Sequence, residues 1–226
     1  MAKSALIVGE SGTGKSTAIE KLNPKETFII NVQGKDLPFK QKGYVKCSEG
    51  KPPAEGNLYY TDKIATILKL VSYISENRKD IKNIVVDDAQ YIAVNEFMNR
   101  LYEKGFNKFN DVGFGIWSLP EVLPRLREDL FVFIIYHSEL ATDDNGDRFH
   151  RAKQMGKLAQ QQVGGIEGYF TYVIFTEVER KEDGIHHNFV TNNEGDTTAK
   201  TPKGMFDLRI PNDLNFVREG ILEFSK

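Results

Sequence analysis

The sequence predicts a three-layer α/β fold with a mainly parallel central sheet. Short, wholly apolar runs recur along the 226 residues, as strands buried on both faces require. Segments with helical periodicity alternate with them, so the strands are joined by crossovers rather than hairpins. No repeat or low-complexity tract divides the chain, and residues 1–226 are read as one domain.

The elements follow in order. Ala5-Leu6-Ile7-Val8 is the first strand, and Ser16 to Leu22 is a short helix stopped by Asn23-Pro24. Thr27 to Val32 is the second strand, ended by Gln33-Gly34, and Ser48 to Asn57 is an exposed loop. Thr61-Asp62 caps a helix on which Ile64, Ile67, Leu68, Val71 and Ile74 keep the 3.6 period. Asn83 to Asp87 is a strand. Ala89 to Lys104 is a helix with Phe97, Met98 and Leu101 on one face, halted by Gly105. Ser118 to Asp129 is helical but disturbed by Pro120 and Pro124. Leu130 to Tyr136, Tyr169 to Thr176 and Ile185 to Thr191 complete the strands. Thr142 to Lys153 reads as a polar loop that turns basic, and Gln154 to Ala159 as helical.

Composition excludes several classes. A chain of this length buries enough surface to need no staple. One cysteine, Cys47, allows neither an intrachain disulfide nor a Cys-rich zinc site, which fits a reducing compartment. No apolar run approaches the roughly 20 residues of a membrane span, and the apolar start is too short for a signal peptide. The expected location is the cytoplasm. A net charge of −2 gives no general attraction to nucleic acid, so any such site has to be a local basic patch. His186-His187 is not read as a metal site, because adjacent strand residues point to opposite faces.

Chemistry concentrates at two strand ends. After the first strand, Gly9-Glu10-Ser11-Gly12-Thr13-Gly14-Lys15-Ser16 is the P-loop pattern. Its glycines let successive backbone N–H groups turn inward on phosphate oxygens, Lys15 supplies a charge to the β- and γ-phosphates, and Ser16 reaches Mg²⁺. The helix expected to begin near Lys15 would add its positive end. Gly9 to Ser16, with Thr17, form the nucleotide-binding set; ATP and Mg²⁺ are the implied cofactors. Ile84-Val85-Val86-Asp87-Asp88 is an apolar strand ending in acid. Asp87 is the Walker B carboxylate for the metal, and Asp88 stands where a carboxylate can orient the attacking water. Ligands of such sheets bind at the carboxyl ends of the strands, where both motifs lie.

Lys104-Gly105-Phe106-Asn107-Lys108-Phe109-Asn110 interleaves lysines with aromatics, a pattern able to hold a strand's phosphates while stacking its bases. The simpler alternative is a loop with both phenylalanines tucked into the core. Arg148, Arg151 and Lys153 are further candidates for a DNA-facing side.

Taken together, these stretches resemble the small P-loop ATPases of tailed phages with a RecA-like or AAA-like core, close to the Sak-type single-strand annealing ATPases. The likeness extends through Lys104 to Gly113, Tyr136-His137-Ser138-Glu139, Met155-Gly156-Lys157, Ile166 to Thr171, Ala199 to Phe206 and Pro211-Asn212-Asp213-Leu214. It implies a phage or prophage ATPase of DNA recombination or replication, acting on single-stranded DNA as a homo-oligomer, with other phage proteins as partners and no membrane. It also implies that His137, at a strand tip, senses the γ-phosphate, and that a cation acts in trans from a neighbouring subunit, for which Lys200 is the candidate with Lys203 behind it. One departure stands out: where RecA-like enzymes carry a glutamate after the second strand, this chain has Gln33, which orients water but cannot take its proton. Either Asp88 takes the base role or hydrolysis is slow. With the first strand starting at residue 4 or 5, no separate N-terminal segment of the kind RecA filaments use is expected, so assembly would need another surface. Alternative readings are a small-molecule (nucleotide) kinase, with Arg148 and Arg151 in a lid, and a nucleotide-gated adaptor or loader that barely hydrolyses.

Overall fold

The computed structural model describes residues 1–48, 53–105, 107–155 and 165–225. Its central sheet is built from β1 (Lys3–Gly9), β2 (Thr27–Asn31), β3 (Leu58–Tyr60), β4 (Asn83–Asp87), β5 (Phe131–Thr142), β6 (Arg148–Ala152), β7 (Tyr172–Lys181), β8 (Gly184–Val190) and β9 (Arg209–Pro211). The order is β3-β2-β4-β5-β1-β7-β8-β9, with β6 paired to β5 alone. All neighbours from β3 to β7 are parallel; β8, β9 and β6 join antiparallel. β5 therefore lies between the P-loop strand and the acidic strand β4. That inserted strand, with the mostly parallel sheet, makes this a three-layer P-loop NTPase fold of the RecA-like kind.

Every residue of β2 and β4 is buried, as are Ala5 to Gly9 of β1. Alternation divides them between two cores. Leu6, Val8, Ile84, Val86, Val132 and Ile134 face α1 (Ile64–Asn77), α2 (Gln90–Asn99) and α3 (Asn107–Val122). Ala5, Ile7, Val85, Phe133 and Ile135 face Ala18, Ile19 and Leu22 after the P-loop and Leu214, Val217 and Ile221 of α4 (Leu214–Phe224). Asp213 caps α4 by accepting from the backbone N–H groups of Asn215 and Phe216 at 2.7 and 3.1 Å. Among the described residues no helix is long and apolar enough to cross a membrane.

Several expectations change. The segment after the P-loop is not an α-helix but five residues of 3-10 helix, Thr17–Lys21, because Asn23-Pro24 leaves no room for more. The strand expected to stop at Tyr136 runs to Thr142, and the expected basic loop is its hairpin partner β6. The turn between them is made by Asp143, whose carboxylate accepts from Asn145 and Asp147 N–H groups, both at 2.9 Å, and by Gly146 at φ 90°. The helix expected to reach Lys104 ends at Asn99. A new one begins at Asn107, so the expected loop 104–110 is partly the first turn of α3, and α3 carries Pro120 within it. The helix expected over Gln154–Ala159 falls mostly outside the described residues.

Candidate nucleotide site

β1 delivers the chain into the loop 9–14 with its last residue packed against β7. A Cβ on Gly9 would lie 1.7 Å from the Thr176 hydroxyl, so only glycine fits there. Gly12 and Gly14 take left-handed φ of 81° and 94°. The loop is braced from within and without. Thr13 Oγ1 donates to the Glu10 carbonyl at 2.8 Å and meets Thr176 Oγ1 at 2.5 Å. His187 Nδ1 donates to the Thr13 carbonyl at 3.1 Å, and Asn212 Nδ2 to that of Gly14 at 3.2 Å. Lys15 is 5% exposed, and its ammonium donates to the Glu10 carbonyl at 2.6 Å. Burial lowers its pKa; Asp88, Asp87 and Glu10 oppose that. With only a short 3-10 turn behind it, the loop offers an anion its backbone N–H groups and Lys15, not a full helix dipole.

Opposite stands the acidic strand end. Ser16 Oγ donates to Asp87 Oδ1 at 2.9 Å. Asp87 is buried, and that burial, with the neighbouring Asp88 charge, pushes its pKa up to about 6. The Ser16 hydrogen bond and the Lys15 charge offset that rise only in part, and a divalent cation would relieve what is left. Ser16 and Asp87 are hard oxygen donors of the kind Mg²⁺ takes alongside phosphates and water. The residues fit the metal.

Asp88 has φ 59°, the one non-glycine positive φ among the described residues, and such strain collects at working sites. Both its oxygens are engaged: His137 Nε2 donates to Oδ1 at 3.2 Å and Lys35 Nζ to Oδ2 at 3.3 Å. Burial would raise its pKa, but the His137 hydrogen bond and the Lys35 charge outweigh it, and the carboxyl is held below its ordinary range. Gln90 Oε1 in turn accepts from the His137 backbone N–H at 3.2 Å. P-loop and acids together line a cleft of about 340 Å³ that also includes Asn31, Lys35, His137 and His187.

Residues 1–203 match the AAA domain family. The chain belongs to that family. No curated protein matches it. Among solved structures it is similar to a KaiC-like protein from the hyperthermophilic archaeon Pyrococcus horikoshii OT3, at 14% identity over 83% of this chain and 77% of that one, with a TM-score of 0.47. Membership of that family makes the chain a P-loop ATPase core.

The AAA domain brings together some of the residues read from sequence and separates others. Lys15, Ser16, Asp87, Asp88 and His137 share the cleft, with Ser11, Gly12, Gly14 and Thr17 on its P-loop side. Gln33 is half-buried and is not among the lining residues; its segment contributes Asn31 and Lys35 instead. Lys200 is exposed, outside the lining, with its backbone in an antiparallel bridge to Val173. Lys108 is the clearest correction. It is 9% exposed, its ammonium donates to the Leu101 and Glu103 carbonyls at 3.1 and 3.0 Å, and it lies over the Phe97 and Phe109 rings. It ties the α2–α3 connection together and is not free for a DNA phosphate. Lys104 is exposed on that connection, and Phe106 lies outside the described residues. Arg148, Arg151 and Lys153 lie on and just after β6, where Arg151 donates to Glu139 at 2.9 Å. Sequence reasoning missed Lys35, His187, Asn212 and Thr176. His186 and His187 do diverge, and His187 is the one that reaches the P-loop.

Proposed function

We propose that this AAA domain hydrolyses ATP with Mg²⁺, using Asp88 to accept the proton of the attacking water, and that it works as an oligomer on single-stranded DNA in phage recombination or replication. The hydrolase part rests on one observation: Asp88 is held in a strained backbone beside the P-loop with His137 fixing one of its oxygens. The absence of a glutamate at Gln33 then removes no function, because the base stands at the end of β4. Lys15 exchanges the Glu10 carbonyl for β- and γ-phosphate oxygens. Ser16 and Asp87 would hold the metal, which when bound neutralises charge on the γ-phosphoryl group. The water oxygen bonds to the γ-phosphorus as the bridge to the β-phosphate breaks; the proton passes to Asp88, leaving ADP and phosphate. His137 orients Asp88 throughout.

The DNA part is supported by the resemblance to phage annealing ATPases over most of the chain, with Lys104, Arg148, Arg151 and Lys153 as the remaining DNA-facing candidates. Phosphate release from ATP and Mg²⁺, with and without single-stranded DNA, tests both parts beside a Lys15→Ala control. Release that DNA stimulates and the control abolishes supports the whole reading. Release that DNA leaves unchanged overturns the DNA part. Tight ATP binding without release overturns hydrolysis and leaves a nucleotide-gated adaptor, the role Gln33 suggested.

A further inference from the structure

We propose that Lys35 is the cation that reads the γ-phosphate, acting in cis, so that the cleft separates ATP from ADP without a residue from a neighbouring subunit. The inference rests on the hydrolase reading only for where the γ-phosphate lies. Among the described lining residues, Lys15 and Lys35 carry the cleft's ammonium groups. Lys15 is buried under the P-loop. Lys35 approaches from the other wall, on the segment after β2, and the two repel each other across the space between them. An anion placed there relieves that repulsion.

The mounting of Lys35 suits the task. Asn31, at the end of β2, pins the backbone on both sides of the turn: its Oδ1 accepts from the Gly34 N–H at 2.8 Å and its Nδ2 donates to the Lys35 carbonyl at 2.7 Å. Gly34, at φ 65°, makes that turn possible. The side chain beyond this fixed backbone is 62% exposed, rests 5.4 Å above the Tyr91 ring and touches Asp88 Oδ2 at 3.3 Å. The lysine half of this pair is exposed while the Asp88 side chain is only 13% exposed and keeps its bond to His137, so the ammonium is the partner free to leave. Asp88 faces the attacking water, so an ammonium beside it stands on the γ side of a bound triphosphate, beyond the reach of a diphosphate. When Lys35 moves to the γ-phosphate it uncovers Asp88 Oδ2, and the base becomes available only in the presence of the group to be cleaved. Lys200 and Lys203, the candidates for a cation in trans, do not line this chain's own cleft and so do not compete for the position that Lys35 holds in cis.

The test measures binding, so it stands apart from turnover. Affinities for a non-hydrolysable ATP analogue and for ADP, both with Mg²⁺, are compared in the wild-type chain, Lys35→Ala and Lys35→Arg. A charge-assisted contact to phosphate predicts that Lys35→Ala weakens the analogue by about 10-fold or more and ADP by no more than about 2-fold. Lys35→Arg should restore most of the loss. Equal weakening of both nucleotides, or of neither, overturns the inference. A wild-type chain that discriminates through Lys35 but releases no phosphate would overturn the hydrolase reading alone.

Discussion

The P-loop and the α2–α3 connection each bury a lysine, at 5% exposure for Lys15 and 9% for Lys108. Both ammonium groups donate to backbone carbonyls, so neither burial nor the kind of hydrogen-bond partner tells them apart. Their surroundings do. Lys108 has two carbonyls and two aromatic faces, and its bonding is complete. Lys15 has one carbonyl, a cleft in front of it, and the Asp87 and Asp88 charges across that cleft. A buried charge that remains incompletely matched is a binding site; one that is fully matched is a structural tie.

The contrast yields four predictions. Lys15→Met should cut phosphate release by about 10³-fold while leaving the unfolding midpoint equal or higher, since it removes a poorly matched buried charge. A stability loss instead would make Lys15 a tie like Lys108. Asp88→Asn should reduce release by about 10²-fold with nucleotide binding retained, measured by titration beside turnover. Asp87→Asn concerns the same imbalance from the acid side. Because the folded protein raises the Asp87 pKa from 3.8 to about 6, ionising it costs folding free energy. The stability is therefore present below the unfolded value and lost as pH rises through about 6. Urea unfolding without metal or nucleotide should show Asp87→Asn more stable above that pH, by at most about 3 kcal/mol, and similar to wild type near pH 4. Magnesium and nucleotide should reverse the ranking by stabilising the wild type alone. The smallest effect belongs to Lys108→Met: about 1–2 kcal/mol lost in the same unfolding measurement, with release per folded molecule unchanged. A drop in DNA stimulation without a stability change would restore Lys108 to a DNA-facing role.

How much of this was legible in the sequence varied with the range of the interaction that decides each feature. The P-loop and the acidic strand declare themselves because their residues lie at fixed spacing on one local element. The parallel sheet follows from wholly apolar runs such as Phe131 to Tyr136. The β5–β6 hairpin did not, although Asp143 to Gly146 carries a turn signal, because polar His137-Ser138-Glu139 looked like a strand end. In the fold these residues leave the buried half of β5 and enter a half that is only partly buried. β3 and β9 have three residues each, too few to show a period. Lys108 looked like a surface cation because the carbonyls that satisfy it, only seven and five residues earlier, are turned toward it by an irregular connection that has no sequence period. Lys35 was passed over for the converse reason: its partner Asp88 is 53 residues away.

β5 joins two places that chemistry alone would keep apart. Its 12 residues run unbroken from the middle of the sheet, past His137 beside Asp88, to the hairpin turn at Thr142. The Lys153 N–H also bonds the His137 carbonyl, at 2.8 Å, so the return strand is fastened at the same point. From His137 to Thr142 an extended strand covers about 17 Å. The hairpin therefore starts at the wall of the nucleotide cleft and ends well outside it, and His150 on its return strand is bonded to Asp196 and Thr198 along the way, at 2.7 and 3.1 Å.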